Sequence, residues 1–244
     1  MNSDRATNIK PGAPAADATW ICGLLQAGDS FYPTGSYAHS FGLEGLVQEG
    51  VVRDRETLRQ YLLLAVRPAL QRTELPLAVH AWSALATPDW KEVGAICELA
   101  HALKPAREAR LAAEKIGRQR AEFIGTLRPH ALVAAYLHHA AVGLWPFAPP
   151  VSAALEGRVL GAPLDAVLAG VYYSAVVSLL ASAMKLLRLG QNGAQTLLTE
   201  MLVAAPAGIA AAKQIPLDEI GWFNPWLDIA AARHEIADGR LFIS

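Results

Sequence analysis

Cysteine is scarce in this chain. Cys22 and Cys97 are the two in 244 residues, each within an apolar helical pattern and neither at a ligand spacing. That rules out a dense disulfide framework or a thiolate metal motif, and points to a reduced, cytoplasmic setting with both thiols buried. Charge is thin as well: 18% of residues are charged against 53% hydrophobic, and the net charge is −1. With neither sign in excess, whole-protein attraction to nucleic acid or to an anionic membrane is not expected. So little charge also implies that part of the apolar surface is covered by partners. There is no glycine-rich phosphate loop ending in Lys-Ser/Thr, no dinucleotide fingerprint and no Gly-x-Ser-x-Gly elbow, so the chain lacks the parts to hydrolyse a nucleotide itself. The seven histidines include no His-x-x-x-His pair. Sustained alternation of apolar and polar residues is missing, which argues against strands, and no fixed-length repeat is present. The first apolar run comes only near Trp20 and is short, so a secretory leader is not expected.

What remains is helical. Residues 163–189 open with Pro163 and Asp165 and close on Lys185, Arg188 and Gly190, an acid-to-base order with a stop signal. No charge lies between Asp165 and Lys185, and Gly170, Ser174, Ser178 and Ser182 recur every fourth residue as a small-residue stripe. A helix apolar all round is a membrane span or the centre of a bundle. Its mild Ala, Ser and Gly content, with no second such segment, favours the bundle. Around it the pattern predicts helices from a Thr19 cap through Ala27, from Ala38 to about Glu49, and from an Asp54 cap with Pro68 as a kink or break. Others carry Leu75 to Trp82, start at Thr87-Pro88, start at Pro105, and start at Pro129 before a proline-rich loop over residues 145–150. Two more follow caps at Asn192 and at Asn224-Pro225, the last running to about Ala237. The expected architecture is all-α: a single-domain bundle of about eight to ten helices around the helix at 163–189. Residues 1–17 are expected to be disordered, 18–239 to form the domain, and 240–244 to be a tail.

Candidate chemistry is sparse. Glu98 and His101 have the Glu-x-x-His spacing of di-iron bundles, but the second pair those sites need is missing. His138 and His139 are adjacent and point about 100° apart on a helix, a poor chelate. A helical metal- or cofactor-dependent enzyme using Glu98, His101, His138 and His139 is the alternative from another class. On the helix after Pro105, Arg107, Arg110, Glu114 and Arg118 lie opposite the apolar stripe, the pattern of a solvated, self-paired face. Its surplus of positive charge also suits an acidic partner. Nucleic acid fits less well, because no aromatics interleave there.

The informative stretch is residues 29–44, DSFYPTGSYAHSFGLE, with two aromatics beside a rigid Pro33-Thr34-Gly35 turn. As D-S-x-x-P-T-G-x-[YF]-A-H-S-x-G-L-E it resembles the signature of the urease accessory proteins of the UreF family. The segment Glu108 to Arg120 with Gly117-Arg118, the turn Leu189-Gly190-Gln191 followed by Gln195, and the ending Arg240-Leu241-Phe242 match in the same order. The likeness covers nearly everything after about residue 20. One departure is Ser36, where many members carry a second glycine.

The resemblance implies an all-α accessory protein with no catalysis, cofactor or metal of its own. Such proteins dimerise, bind the accessory protein UreD (also called UreH) and recruit the GTPase UreG. The assembly docks on urease apoprotein, where GTP hydrolysis is coupled to nickel delivery. It places partner contacts on Asp29, Tyr32, Pro33, Thr34, Gly35, His39, Ser40 and Glu44, and on Gln191 and Gln195. The tail residues Arg240, Leu241 and Phe242 are expected to order against the UreD-type partner, with Leu241 and Phe242 as anchors. Arg107, Arg110 and Arg118 are the basic candidates.

Overall fold

The computed structural model describes residues 18–29, 31–35, 39–234 and 239–242, and among these there is no strand. The expected disorder of residues 1–17 falls outside the described residues. Helix α1 spans Thr19–Ala27 and α2 Leu43–Gln48. A continuous helical rod over residues 55–84 joins α3 (Arg55–Tyr61), α4 (Arg67–Ala69) and α5 (Leu75–Ala84) through two π turns, Leu62–Val66 and Leu70–Glu74. Then come α6 (Trp90–Ala102), α7 (Arg107–Leu127), α8 (Ala131–Gly143), α9 (Pro149–Leu160), α10 (Leu164–Leu186), α11 (Gln191–Ala212), a 3-10 turn at Leu217–Glu219 and α12 (Pro225–His234).

The caps explain several boundaries. The Asp54 side chain accepts the Thr57 amide at 2.8 Å while Thr57 Oγ1 accepts the Asp54 amide at 3.0 Å, a reciprocal box that starts the rod. Pro68 does not break the rod. It and Pro76 lie in the first turns of α4 and α5, each directly after a π turn. The wider turn already shifts the hydrogen bonding there and accommodates the missing N–H and the ring. The cap of α6 is Asp89, which accepts the Lys91 and Glu92 amides at 3.0 and 3.1 Å, rather than Thr87-Pro88. Helix α11 starts at Gln191 with Gly190 as its N-cap residue, rather than after Asn192.

Two hydrophobic cores share α5. In the first, Leu58 and Leu62 of the rod meet Leu168, Tyr172, Val176 and Leu179 of α10 and Leu197 and Met201 of α11. In the second, Val93 and Ile96 of α6, Ile124 of α7, Tyr136 of α8 and Val151 and Leu155 of α9 close together. Leu75 and Ala78 of α5 face the first core, Leu77 and Ala81 the second. Helix α10 organises the first core much as its sequence suggested. Its stripe is only partly covered: Ser182 is buried, Ser174 and Ser178 are half-buried, and nothing stands beside Gly170. The helix buried on every side is α9, where residues 150–157 are all enclosed. Small residues make that possible: Gly117 of α7 rides on the Ala148 backbone, and Ser152 Oγ donates to the Gly117 carbonyl at 2.8 Å. The reading of a single long apolar segment needs correction. Both Leu164–Leu186 and Gln191–Ala212 are long and apolar enough to cross a membrane, and here they pack on each other through the first core.

Candidate partner-binding surface

The signature stretch divides into two halves, anchored on different helices. In the first half, Asp29 Oδ1 accepts the Phe31 amide at 2.7 Å, the Asp29 carbonyl accepts the Tyr32 amide at 3.0 Å, and the Tyr32 carbonyl accepts the Thr34 amide at 2.8 Å. Gly35 follows with φ +76°, and a side chain there would also meet Gln119 Oε1 at 3.0 Å, so glycine suits the turn on both counts. Tyr32 points inward. Its ring sits edge-on to Phe123 with centroids 5.2 Å apart, and its hydroxyl donates to Glu156 Oε1 at 2.5 Å. Glu156 on α9 is completely buried and is met on Oε2 by Arg120 of α7 at 2.7 and 2.9 Å. Arg128 lies 3.8 Å from Oε1. Burial, and then the Glu156 charge, push the Tyr32 phenol well above the usual tyrosine range, so it stays a donor.

This arrangement sorts the expected contact residues. Tyr32 and Thr34 are buried within the chain, while Asp29 and Pro33 are exposed and Gly35 is half-buried. Phe31, which is not among the expected contacts, is 91% exposed. Its outward direction follows from Tyr32 turning in, which sequence alone does not reveal.

The second half is not a helix from Ala38. Residues 36–38 lie outside the described set, and Phe41 (φ +54°) and Gly42 (φ +85°) are left-handed, so α2 begins only at Leu43. His39, Ser40 and Glu44 are buried. Ser40 Oγ accepts the Glu44 amide at 3.3 Å, and the His39 carbonyl accepts from Ser182 Oγ of α10 at 3.1 Å. Burial, and then the nearby Lys115 charge, hold the His39 imidazole below the usual histidine range. The Glu44 carboxylate accepts the Leu241 amide at 2.7 Å and the Phe242 amide at 3.0 Å. Phe242 is buried with Lys185 Nζ 5.2 Å from its ring centroid, and Arg240 pairs with Glu108 at 2.6 Å. Thus Phe242 anchors the tail on this chain's own bundle, and Leu241, 62% exposed, is the apolar residue facing out.

The family model for UreF matches residues 52–202. The chain belongs to the UreF family. The urease accessory protein UreF of Paenarthrobacter aurescens (strain TC1) is 32% identical over 227 residues, covering 93% of this chain and 99% of that protein. That of Methylobacterium radiotolerans is 32% identical over 235 residues, covering 96% and 100%. That of Bradyrhizobium sp. (strain ORS 278) is 29% identical over 244 residues, covering both in full.

The other candidates of this UreF chain lie on three further elements. On α7, Arg110 donates to the Lys104 carbonyl at 2.8 Å and tethers the preceding turn, and Arg118 pairs with Glu114 at 3.4 Å while lying over the Phe147 ring at 4.5 Å. The Glu114–Arg118 pair follows the alternating signs of that face, whereas Arg110 is turned to main-chain carbonyls; Arg107 is exposed at its start. Gln191 and Gln195 are exposed on the first turns of α11. Glu98 and His101 line a cavity of about 750 Å³ with Glu114, Arg118 and Glu122. His138 and His139 are not part of that lining; the His139 ring stacks on Trp90 at 4.7 Å. Among the described residues no group of three or more His, Cys, Asp or Glu side chains could hold a metal ion, so the four residues of the enzyme alternative do not form a ligand set. Cys97 is buried 3.7 Å from the Tyr136 hydroxyl, and burial pushes its thiol up to about 12. Cys22 is exposed, against the expectation that both thiols are buried.

Proposed function

We propose that this protein is a non-catalytic subunit of a cytoplasmic urease-maturation complex. It bridges a UreD-type (UreH) partner and the GTPase UreG on urease apoprotein, so that GTP hydrolysis there is coupled to nickel delivery. Nickel is cargo in this reading, not a resident cofactor, and neither nucleic acid nor membrane is a partner.

The observation that carries the reading is the match to proteins named urease accessory protein UreF across nearly the whole chain, with the signature stretch built as a braced surface turn. The chain has no phosphate loop, so a nucleotide-hydrolysing partner must supply that step. The exposed residues Asp29, Phe31 and Pro33, with Gln191, Gln195 and Leu241, are the proposed contacts. The buried members of the stretch act by holding them in place. A homodimer within the complex is supported by the outer face of α10, where Tyr173, one turn from the open space at Gly170, and Met184, near the helix end, are each 39% exposed.

The test is co-purification of the tagged chain with UreD-type protein, UreG and urease apoprotein. A stable assembly that restores nickel-dependent urease activity is expected, and Phe31→Ala should weaken capture without changing the melting temperature. A chain that captures none of the three proteins would sink the proposal.

A further inference from the structure

The cavity of about 750 Å³ is a groove between α6, α7 and α8, and none of the contacts proposed above lies in it. Its floor is apolar. The Trp145 indole lies so close to α6 and α8 that a Cβ at Gly94 would meet it at 2.2 Å and one at Gly143 at 3.2 Å. Leu137 and the buried Phe147 complete that surface. At the end of α8, Leu144 lines the groove while 87% exposed and at φ +53°. Glycine is the ordinary residue for a left-handed helix stop, because a Cβ is strained there, and Gly161 fills that role after α9. With its side chain in solvent, Leu144 gives the fold almost no packing to offset the strain.

The walls are acidic. Glu114 and Glu122 are eight residues apart on α7, about 12 Å along its axis, and Glu98 lines the groove from α6 beside His101. Arg118 is the one guanidinium of the lining, and it is already paired with Glu114 at 3.4 Å. Among the described residues no cation pairs with Glu98 or Glu122, both of them exposed. Three carboxylates against one guanidinium make the groove locally negative in a chain whose net charge is only −1.

We infer that this groove receives a basic segment of a partner protein, with lysine or arginine side chains on Glu98 and Glu122 and a large apolar side chain on Leu137, Leu144 and Trp145. Charge complementarity selects the occupant. A small organic cation does not fit the layout: the carboxylates are open to water and spread over two turns of helix, and Leu144 stands out at the rim. A chain of several residues spans such separated points. The inference rests on the reading that this protein works within an assembly, and adds a contact face to it.

The experiment reconstitutes the assembly from purified UreD-type protein, UreG, urease apoprotein and the full chain with p-benzoylphenylalanine in place of Leu144. Irradiation should join position 144 to a partner peptide in which lysine or arginine neighbours a large apolar residue. A crosslink to a second copy of this chain or to an acidic segment, or none in a formed assembly, overturns the inference. Glu98→Gln with Glu122→Gln should weaken capture of the crosslinked partner about three- to tenfold at low salt and leave the melting temperature unchanged. Leu144→Gly should weaken capture about tenfold while the melting temperature holds or rises. Full capture by either variant overturns the inference. If the unaltered chain captures no partner, the bridging reading fails instead, and calorimetry on the isolated chain decides the groove. There an amphipathic lysine–leucine peptide should bind, and bind the double glutamine variant at least about threefold more weakly. No binding, or equal binding by the variant, overturns the inference.

Discussion

Glu44 and Leu241 stand 197 positions apart, and the carboxylate of the first accepts the backbone amide of the second at 2.7 Å. The next amide, Phe242, is taken by the other carboxylate oxygen at 3.0 Å. An acceptor-only group buried in the signature stretch thus finds its donors in the main chain of the tail.

Removal of residues 240–244 should therefore destabilise the isolated chain by about 2–4 kcal/mol, from the lost burial of Phe242 and the loss of two amide donors to Glu44, less the ordering entropy regained. Urea unfolding of the truncated and full chains measures the difference, and coincident curves would show that the tail contacts contribute nothing in solution.

Gly117→Ala should cost about 1–3 kcal/mol. The new methyl would lie 2.8 Å from the backbone nitrogen and carbonyl carbon of Ala148, and main chain does not swing away as a side-chain tip does. A thermal melt within a degree of the unaltered protein would mean that α7 and α9 separate more readily than their packing indicates.

Gly170→Ala should do the opposite. With no atom within 4 Å of the added carbon, the substitution should bring the helix-propensity gain of about 0.5–1 kcal/mol. Sedimentation of the same variant reports on the proposed dimer face. A loss of stability in the monomer would mean that Gly170 is already covered.

The ends of α10 were legible because proline, acid, base and glycine punctuate them: 163–189 was read and Leu164–Leu186 is found. The reciprocal cap at Asp54 was legible for a similar local reason. Helix α9 was not. Buried on all sides, PPVSAALEGRVL shows no contrast between faces, and periodicity needs contrast. Its available signals were Pro149-Pro150 at the start and Gly161, at φ +68°, at the stop. Missing α9 meant missing Glu156, and with it the reason that Tyr32 turns in and Phe31 out. The false helix start at Ala38 has a local cause, since nothing in an apolar pattern shows Phe41 in the left-handed region ahead of Gly42.

His39 sets a pH dependence. Its folded pKa lies below the ordinary value near 6.5, so in the window just under about pH 6.5 the unfolded chain binds the proton more readily than the folded one. Stability should be level above that window and decline as pH falls through it towards the folded pKa. Urea midpoints at pH 7.5 and 5.5 should differ in that direction, and His39→Gln should flatten the slope. An equal slope in the variant would assign the effect to other groups.

The long sequence separations around the signature stretch also set an order in time. Tyr32 waits for Glu156, 124 residues later, the His39 carbonyl for Ser182, 143 later, and Glu44 for Leu241, 197 later. At a synthesis rate of about 5–20 residues per second, Glu44 spends roughly 10–40 s on the ribosome before its last donor is made. The part of the surface made first is completed last, so a half-made chain has no finished site to offer a partner.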